Sequence, residues 1–189
     1  MDLILITGSP GSGKTTIAKI LSKRLKVKVI SLTEFILKTK IFEEVDGEKS
    51  VEIKKLQKSL EKELNKLKYE KLVIVEGHLA CELILKKYNT KVIVLRRSLK
   101  KLKKEMEKRG YSKKKISDNL ILEAIDYFGE NSKSRYKKVY EIFVKDKKTT
   151  INKILKILKG KKIDETQYAN KIEKKEFILM LQKKEIQLV

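Results

Sequence analysis

The chain has 189 residues, the length of one domain rather than two. Hydrophobic residues make up 41% and charged residues 38%, which excludes a wholly disordered chain, and no apolar run approaches the roughly 18 residues of a membrane span. Lys+Arg total 47 against 25 Asp+Glu, for a net charge of +22; the arginines are Arg24, Arg96, Arg97, Arg109 and Arg135, the rest lysine. Such an excess fits a polyanionic partner and fits equally well a lysine-rich composition that fills solvated faces. The lone Cys81 excludes an internal disulfide framework and a four-cysteine zinc site, and points to a reducing cytoplasm. Leu3–Ile6 is too short for a secretory leader, and Asp2 stands where a basic flank belongs.

In chain order, the pattern alternates strand and helix. Leu3–Ile6 is a continuous apolar run, as expected of a parallel strand buried on both faces. Ile17, Ile20, Leu21 and Leu25 form a helical stripe after it, followed by a weaker strand at Val27–Ile30. Ile53, Leu56, Leu60, Leu64 and Leu67 step by three and four. Leu72–Val75 and Val92–Leu95 read as further buried strands, and Val139–Val144 as an edge strand. Leu99, Leu102 and Met106 mark a helix, Ile116, Leu120, Ala124 and Phe128 another, and Ile151, Ile154, Leu155 and Leu158 the last. This order predicts an α/β fold, a doubly wound parallel sheet flanked by helices. The domain is expected to span residues 1–160; composition shifts after Gly160, and residues 161–189 read as an appended helical tail with one apolar cluster, Phe177–Leu181.

Gly8-Ser9-Pro10-Gly11-Ser12-Gly13-Lys14-Thr15 matches G-x-x-x-x-G-K-[ST] between a predicted strand and a predicted helix. Gly11 and Gly13 let backbone amides wrap phosphates, and the helix N-terminus adds positive dipole. Lys14 should neutralise the β- and γ-phosphates, Thr15 should ligate Mg²⁺, and Thr16 should contact the α-phosphate. A guanine-type N-K-x-D motif is missing from the core; Asn170-Lys171-Ile172-Glu173 lies in the tail, where chance explains it. The chain is too small for an AAA-type motor, which leaves small nucleotide kinases and shikimate-type kinases.

Val75-Glu76-Gly77-His78 ends a strand, where open α/β sheets place their catalytic groups. Glu76 could hold Mg²⁺ through a water, and His78, the sole histidine, could orient or deprotonate a water. Arg96 and Arg97 follow the next strand, and Lys108-Arg109-Gly110-Tyr111 joins two helices. Arg109 is the candidate lid arginine, closing over the triphosphate to stabilise the transferring phosphoryl group.

Together these residues resemble the family of adenylate kinase isoenzyme 6, the CINAP-type ATPases and their archaeal relatives. The likeness rests on Gly8–Thr16, on the acidic-x-His element at Glu76 and His78, and on Arg109-Gly110-Tyr111, Lys115 and Asp118-Asn119, and it covers residues 1–159. It implies a P-loop, nucleoside monophosphate kinase-like fold with a short helical lid at about residues 108–118. It implies ATP as phosphoryl donor with Mg²⁺, broad monophosphate acceptance, and ATP hydrolysis coupled to late maturation of the small ribosomal subunit. The partners it implies are a platform ribosomal protein, bound transiently, and the pre-30S particle with its rRNA; no membrane is involved. Glu76 stands where many relatives carry Asp, and Glu105 where some carry a second lid arginine. The monophosphate site is expected at residues 31–54, around Ser31, Thr33 and Glu34, with lysines such as Lys38 and Lys54 and no arginine. A small-metabolite kinase on the same fold is the alternative.

Overall fold

A computed structural model describes residues 1–45, 48–161, 163 and 178–180. Five parallel strands form the main sheet: β1 (Asp2–Thr7), β2 (Lys28–Ser31), β5 (Leu72–Glu76), β6 (Asn89–Arg96) and β7 (Val139–Phe143). Their spatial order is β2-β5-β1-β6-β7, so the edge position expected for β7 is observed. A separate antiparallel hairpin, β3 (Glu43–Val45) and β4 (Glu48–Ser50), pairs Glu43 with Ser50.

The alternation of each strand divides the core. Leu3, Leu5, Val73, Val75, Val92 and Val94 pack against α2 (Leu32–Thr39), α3 (Ile53–Lys66) and α6 (Tyr127–Arg135). Ile4, Ile6, Ile74, Ile93 and Leu95 pack against α1 (Lys14–Leu25) and α7 (Lys147–Leu158). The central strands are therefore apolar on both faces, which is why they read as unbroken runs. A third cluster joins α4 (Leu99–Glu107) to α5 (Lys113–Ala124) through Leu99, Leu102, Met106, Ile116 and Leu120.

The stripe Ile116–Phe128 is not one helix. α5 stops at Ala124, Asp126 adopts a left-handed conformation (φ 59), and α6 begins at Tyr127. The Asp126 carboxylate is drawn inward by Arg96, whose Nη1 donates to Oδ1 at 2.5 Å. Gly129 leaves room for it: a β-carbon there would lie 2.3 Å from Asp126 Oδ1.

Of the tail, Lys161, Ile163 and Ile178–Met180 are described, the last three as helix, with Met180 buried against the α4–α5 cluster. Asn170–Glu173 and the ends of the Phe177–Leu181 cluster lie outside the described residues. Among the described residues no helix is long and apolar enough to cross a membrane.

Candidate phosphoryl-transfer site

Register places the site. Ile6 pairs with Glu76 across β1–β5, and Glu76 pairs with Ser31 across β5–β2. The first loop residues, the acidic strand end and the start of α2 thus share the carboxyl edge of the sheet. Gly8 (φ 130) starts the loop in the left-handed half of backbone space and passes so close to β6 that a β-carbon would lie 2.3 Å from the Leu95 carbonyl oxygen. Gly13 (φ 97) caps α1 without a side-chain acceptor, leaving the amides of the first turn directed at the loop.

Lys14 Nζ donates to the carbonyls of Gly8 (2.7 Å) and Ser9 (3.0 Å), spanning the concavity its loop encloses. Burial, with the charge of Arg109, lowers its pKa to about 8, against the raising fields of Glu76 and Glu123. Arg109, exposed in the turn between α4 and α5, is thus near enough to act on the loop lysine. Thr15 Oγ1 donates to Glu76 Oε1 at 3.1 Å. A hydroxyl and a carboxylate in contact form a hard oxygen pair that suits Mg²⁺. Among the described residues no group of three or more His, Cys, Asp or Glu could cage an ion.

His78 opens a short 3₁₀ turn, His78–Glu82, and its carbonyl accepts from Thr7 Oγ1 (3.1 Å) and Cys81 Sγ (3.3 Å). Its side chain reaches solvent at the cleft, yet the protein packed around the ring and the ammonium groups of Lys14 and Lys115 lower its pKa to about 4. The imidazole is neutral near pH 7, able to accept a proton or a hydrogen bond. Cys81 beside it is buried and its thiol is pushed up to about 11, so it is no nucleophile.

A cavity of about 270 Å³ adjoins Thr15 and Glu76 and reaches Ser31, Glu34 and Lys19. Two of the three expected acceptor residues, Ser31 and Glu34, line it; Thr33 is exposed and does not. Lys19 reaches it because it lies one turn beyond Thr15 on α1, outside residues 31–54. Thr16 is exposed on the first turn of α1.

Glu123 escaped the sequence reading, as did the partners of Arg96 and Arg97. Glu123, fully buried on α5, accepts a short hydrogen bond from the loop hydroxyl of Ser9 and lies 3.3 Å from Arg96 Nε. Burial pushes its carboxyl up, while Arg96 and Ser9 pull it down. Arg97 Nη1 donates to the Gly11 carbonyl at 2.9 Å. Of these two arginines, Arg96 ties α5 to the sheet and Arg97 braces the loop. The available signal was Glu123 itself, seven residues beyond Ile116 and three beyond Leu120 on an apolar stripe. At the expected second lid arginine, Glu105 pairs with Lys108 at 3.5 Å.

A family described as AAA domain matches residues 4–137, and the chain belongs to it. The match concerns the domain and says nothing of motor assembly. A protein of Methanocaldococcus jannaschii, provisionally named adenylate kinase, is 38% identical over 84% of this chain and 87% of its own. One from Methanosarcina acetivorans with the same provisional name is 37% identical over 74% of this chain and 76% of its own. The chain belongs to this archaeal family. Shikimate kinase from Acinetobacter baumannii, solved with shikimate, overlays with a TM-score of 0.55 at 16% identity, covering 85% of this chain and 94% of that one. At that identity the likeness shows the fold alone: a P-loop, kinase-type α/β domain.

Proposed function

We propose that the chain transfers the γ-phosphoryl group of ATP to a nucleoside monophosphate, hydrolyses ATP, and acts in late maturation of the small ribosomal subunit. The meeting of Lys14, Thr15 and Glu76 at the carboxyl edge of the sheet carries the first part. Lys14 exchanges its two carbonyl partners for phosphate oxygens. Thr15 and Glu76 hold Mg²⁺, Glu76 through a water; the ion, when bound, neutralises phosphate charge. Gly11, Gly13 and Thr16 contribute to the phosphate cradle. Arg109 meets the transferring group as the lid closes. Ser31 and Glu34, with Thr33 above them, border the acceptor.

The ribosomal part rests on the family resemblance at Arg109–Asn119 and on His78. Two contacts give that stretch a local purpose. Asn119 Nδ2 donates to the Lys115 carbonyl at 2.7 Å, and the Lys115 ammonium reaches far enough to lower the His78 pKa. A neutral His78 suits water activation in hydrolysis, whereas an acceptor phosphate needs no base. In this reading, hydrolysis times the release of a platform ribosomal protein from the pre-30S particle and its rRNA.

The second reading, a small-metabolite kinase, draws on one observation. The acceptor side carries the carboxylate of Glu34 beside Thr15, and residues 31–54 contain no arginine to clamp a phosphate. Phosphotransfer from Mg·ATP to AMP, CMP, GMP, UMP and shikimate separates the two. Diphosphate products support the first; transfer to the hydroxyl acceptor alone supports the second. A pull-down from native lysate, with and without ATP, tests assembly. Recovery of small-subunit components in one nucleotide state alone is expected, and recovery in neither contradicts it.

A further inference from the structure

The opposite end of the sheet carries a second concave surface. It lies where β6 and β7 begin, a cavity of about 370 Å³ bordered by Lys86, Tyr88, Arg135, Tyr136, Lys137 and Lys138. β6 runs the eight residues from here to the phosphate-loop end, roughly 25 Å at about 3.3 Å per residue. The surface is therefore remote from the candidate catalytic edge.

Its floor is rigid. The Tyr136 hydroxyl donates to the Leu83 carbonyl (2.9 Å) and accepts from the Leu85 amide (2.8 Å). Thr90 Oγ1 donates to the Leu85 carbonyl at 3.2 Å, tying the loop before β6 to the same support.

Its charge is predominantly positive, with Asp2, among the described residues, the one carboxylate that a hydrogen bond ties to the rim, its Oδ1 accepting from Asn89 Nδ2 at 2.9 Å. Lys86–Lys91 and Arg135–Lys138 together contain six cations and no carboxylate. Among the described residues, none of the six has a carboxylate within 4.0 Å, whereas Lys28, Lys55, Lys66, Lys108 and Lys133 each do. Their partners are neutral: Lys87 donates to Asn65 Oδ1, Lys138 to Asn89 Oδ1 and Arg135 to Asn131. Lysines on convex helix faces are ordinary in a chain of this composition. Here two segments distant in sequence bring four of the six, Lys86, Arg135, Lys137 and Lys138, to the border of one hollow.

Such a surface favours a ligand with repeated negative charges. The hollow is of a size that takes a small-molecule unit, and half-buried Tyr88 at its rim, with the Lys87 ammonium 5.2 Å from its ring centroid, adds an aromatic edge and a further cation. We propose that this surface binds single-stranded nucleic acid through its phosphate backbone, independently of nucleotide at the phosphate loop. The inference goes beyond phosphoryl transfer and does not require it. It supplies a contact for an RNA partner, but it rests on charge and shape at this edge alone.

The test is fluorescence anisotropy with labelled oligo(U) of about twelve nucleotides, repeated with oligo(dT), between about 50 and 200 mM salt. Wild type is compared with Lys86→Ala/Lys137→Ala and with Lys147→Ala/Lys148→Ala, which removes equal charge at the other end of the sheet. The first pair should lose roughly tenfold in affinity at the lower salt and lower the salt slope by about 1.4, two contacts at about 0.7 each. The second pair should bind like wild type, and all three should transfer phosphoryl groups at equal rates. Equal binding of RNA and DNA would mark backbone recognition, and tighter RNA binding a contact to the 2′-hydroxyl; both support the site. Absence of binding at the lower salt, equal losses in both pairs, or displacement of RNA by polyglutamate as readily as by unlabelled RNA would overturn it. Failure of phosphoryl transfer in the wild type would bear on the catalytic reading and leave this one standing.

Discussion

At the scale of single residues, the site is governed by how far its charges are held from water. Lys14 at about 8 lies below its ordinary 10.5, so its ammonium is penalised in the nucleotide-free protein. A bound triphosphate raises that pKa again. Between pH 8 and 10.5 the free protein has lost the proton that the complex regains, so binding takes up a proton and affinity falls as pH rises through this window. Calorimetry at pH 9 in two buffers of different ionisation enthalpy should show uptake of about one proton per ATP; zero uptake would mean that Lys14 does not meet the phosphates. His78, lowered to about 4, keeps its basic form at neutral pH. His78→Ala should depress ATP hydrolysis about 10²-fold, a modest general-base loss, and depress phosphotransfer far less. Equal loss of both activities would make it part of the phosphate site. The acid limb of kcat/KM for hydrolysis should fall below pH 6.5, since kcat/KM reports the free protein.

At the scale of elements, α5 and the end of β6 are tied to the phosphate loop. α5 reaches Ser9 through Glu123, and the end of β6 reaches Gly11 through Arg97. Arg96, 1% exposed, holds Glu123 and Asp126 together and fixes the break between α5 and α6. Arg96→Met should cost about 3–5 kcal/mol in urea unfolding, because it strands the Glu123 carboxylate in the interior and leaves Asp126 with Lys133 alone. A loss under about 1 kcal/mol, typical of surface pairs, would show that water reaches them. Arg109, by contrast, stands exposed in the turn between α4 and α5. Arg109→Ala should lower kcat more than it raises KM, as expected of a group that meets its charge in the transition state. A higher KM with unchanged kcat would confine it to ground-state binding. These element-level ties were hardly legible beforehand. Helical periodicity reports which face is apolar, and it passed through Asp126 because Phe128 fell on the next expected step. A buried carboxylate such as Glu123 looks like an interruption of that face until its arginine is placed opposite.

At the scale of the whole molecule, the parallel core was readable because Leu3–Ile6, Leu72–Val75 and Val92–Leu95 are buried on both faces and leave no polar alternation to confuse them. The hairpin β3–β4 was not, since Glu43–Ser50 carries charges where a strand signal needs apolar residues. The phosphate loop and the acidic strand end were legible from spacing, because both must occupy the carboxyl edge of the sheet. The acceptor side was less so: Lys19 reaches its cavity from another element, and no local pattern records that approach. The +22 charge includes lysines paired with carboxylates, such as Lys28 and Lys66, and four cations, Lys86, Arg135, Lys137 and Lys138, gathered around one hollow at the far edge, a grouping composition alone cannot show.

The central claim is that Lys14 and its loop drive phosphoryl transfer from ATP to a monophosphate. Phosphorus NMR of Mg·ATP with AMP, for wild type beside a Lys14→Ala variant shown to be folded by circular dichroism, tests it most directly. Wild type should convert one ATP and one AMP into two ADP, and the variant should be slower by about 10²-fold or more, as when a preorganised charge partner is removed. Near-full turnover in the variant, or release of inorganic phosphate with AMP untouched in the wild type, would contradict it.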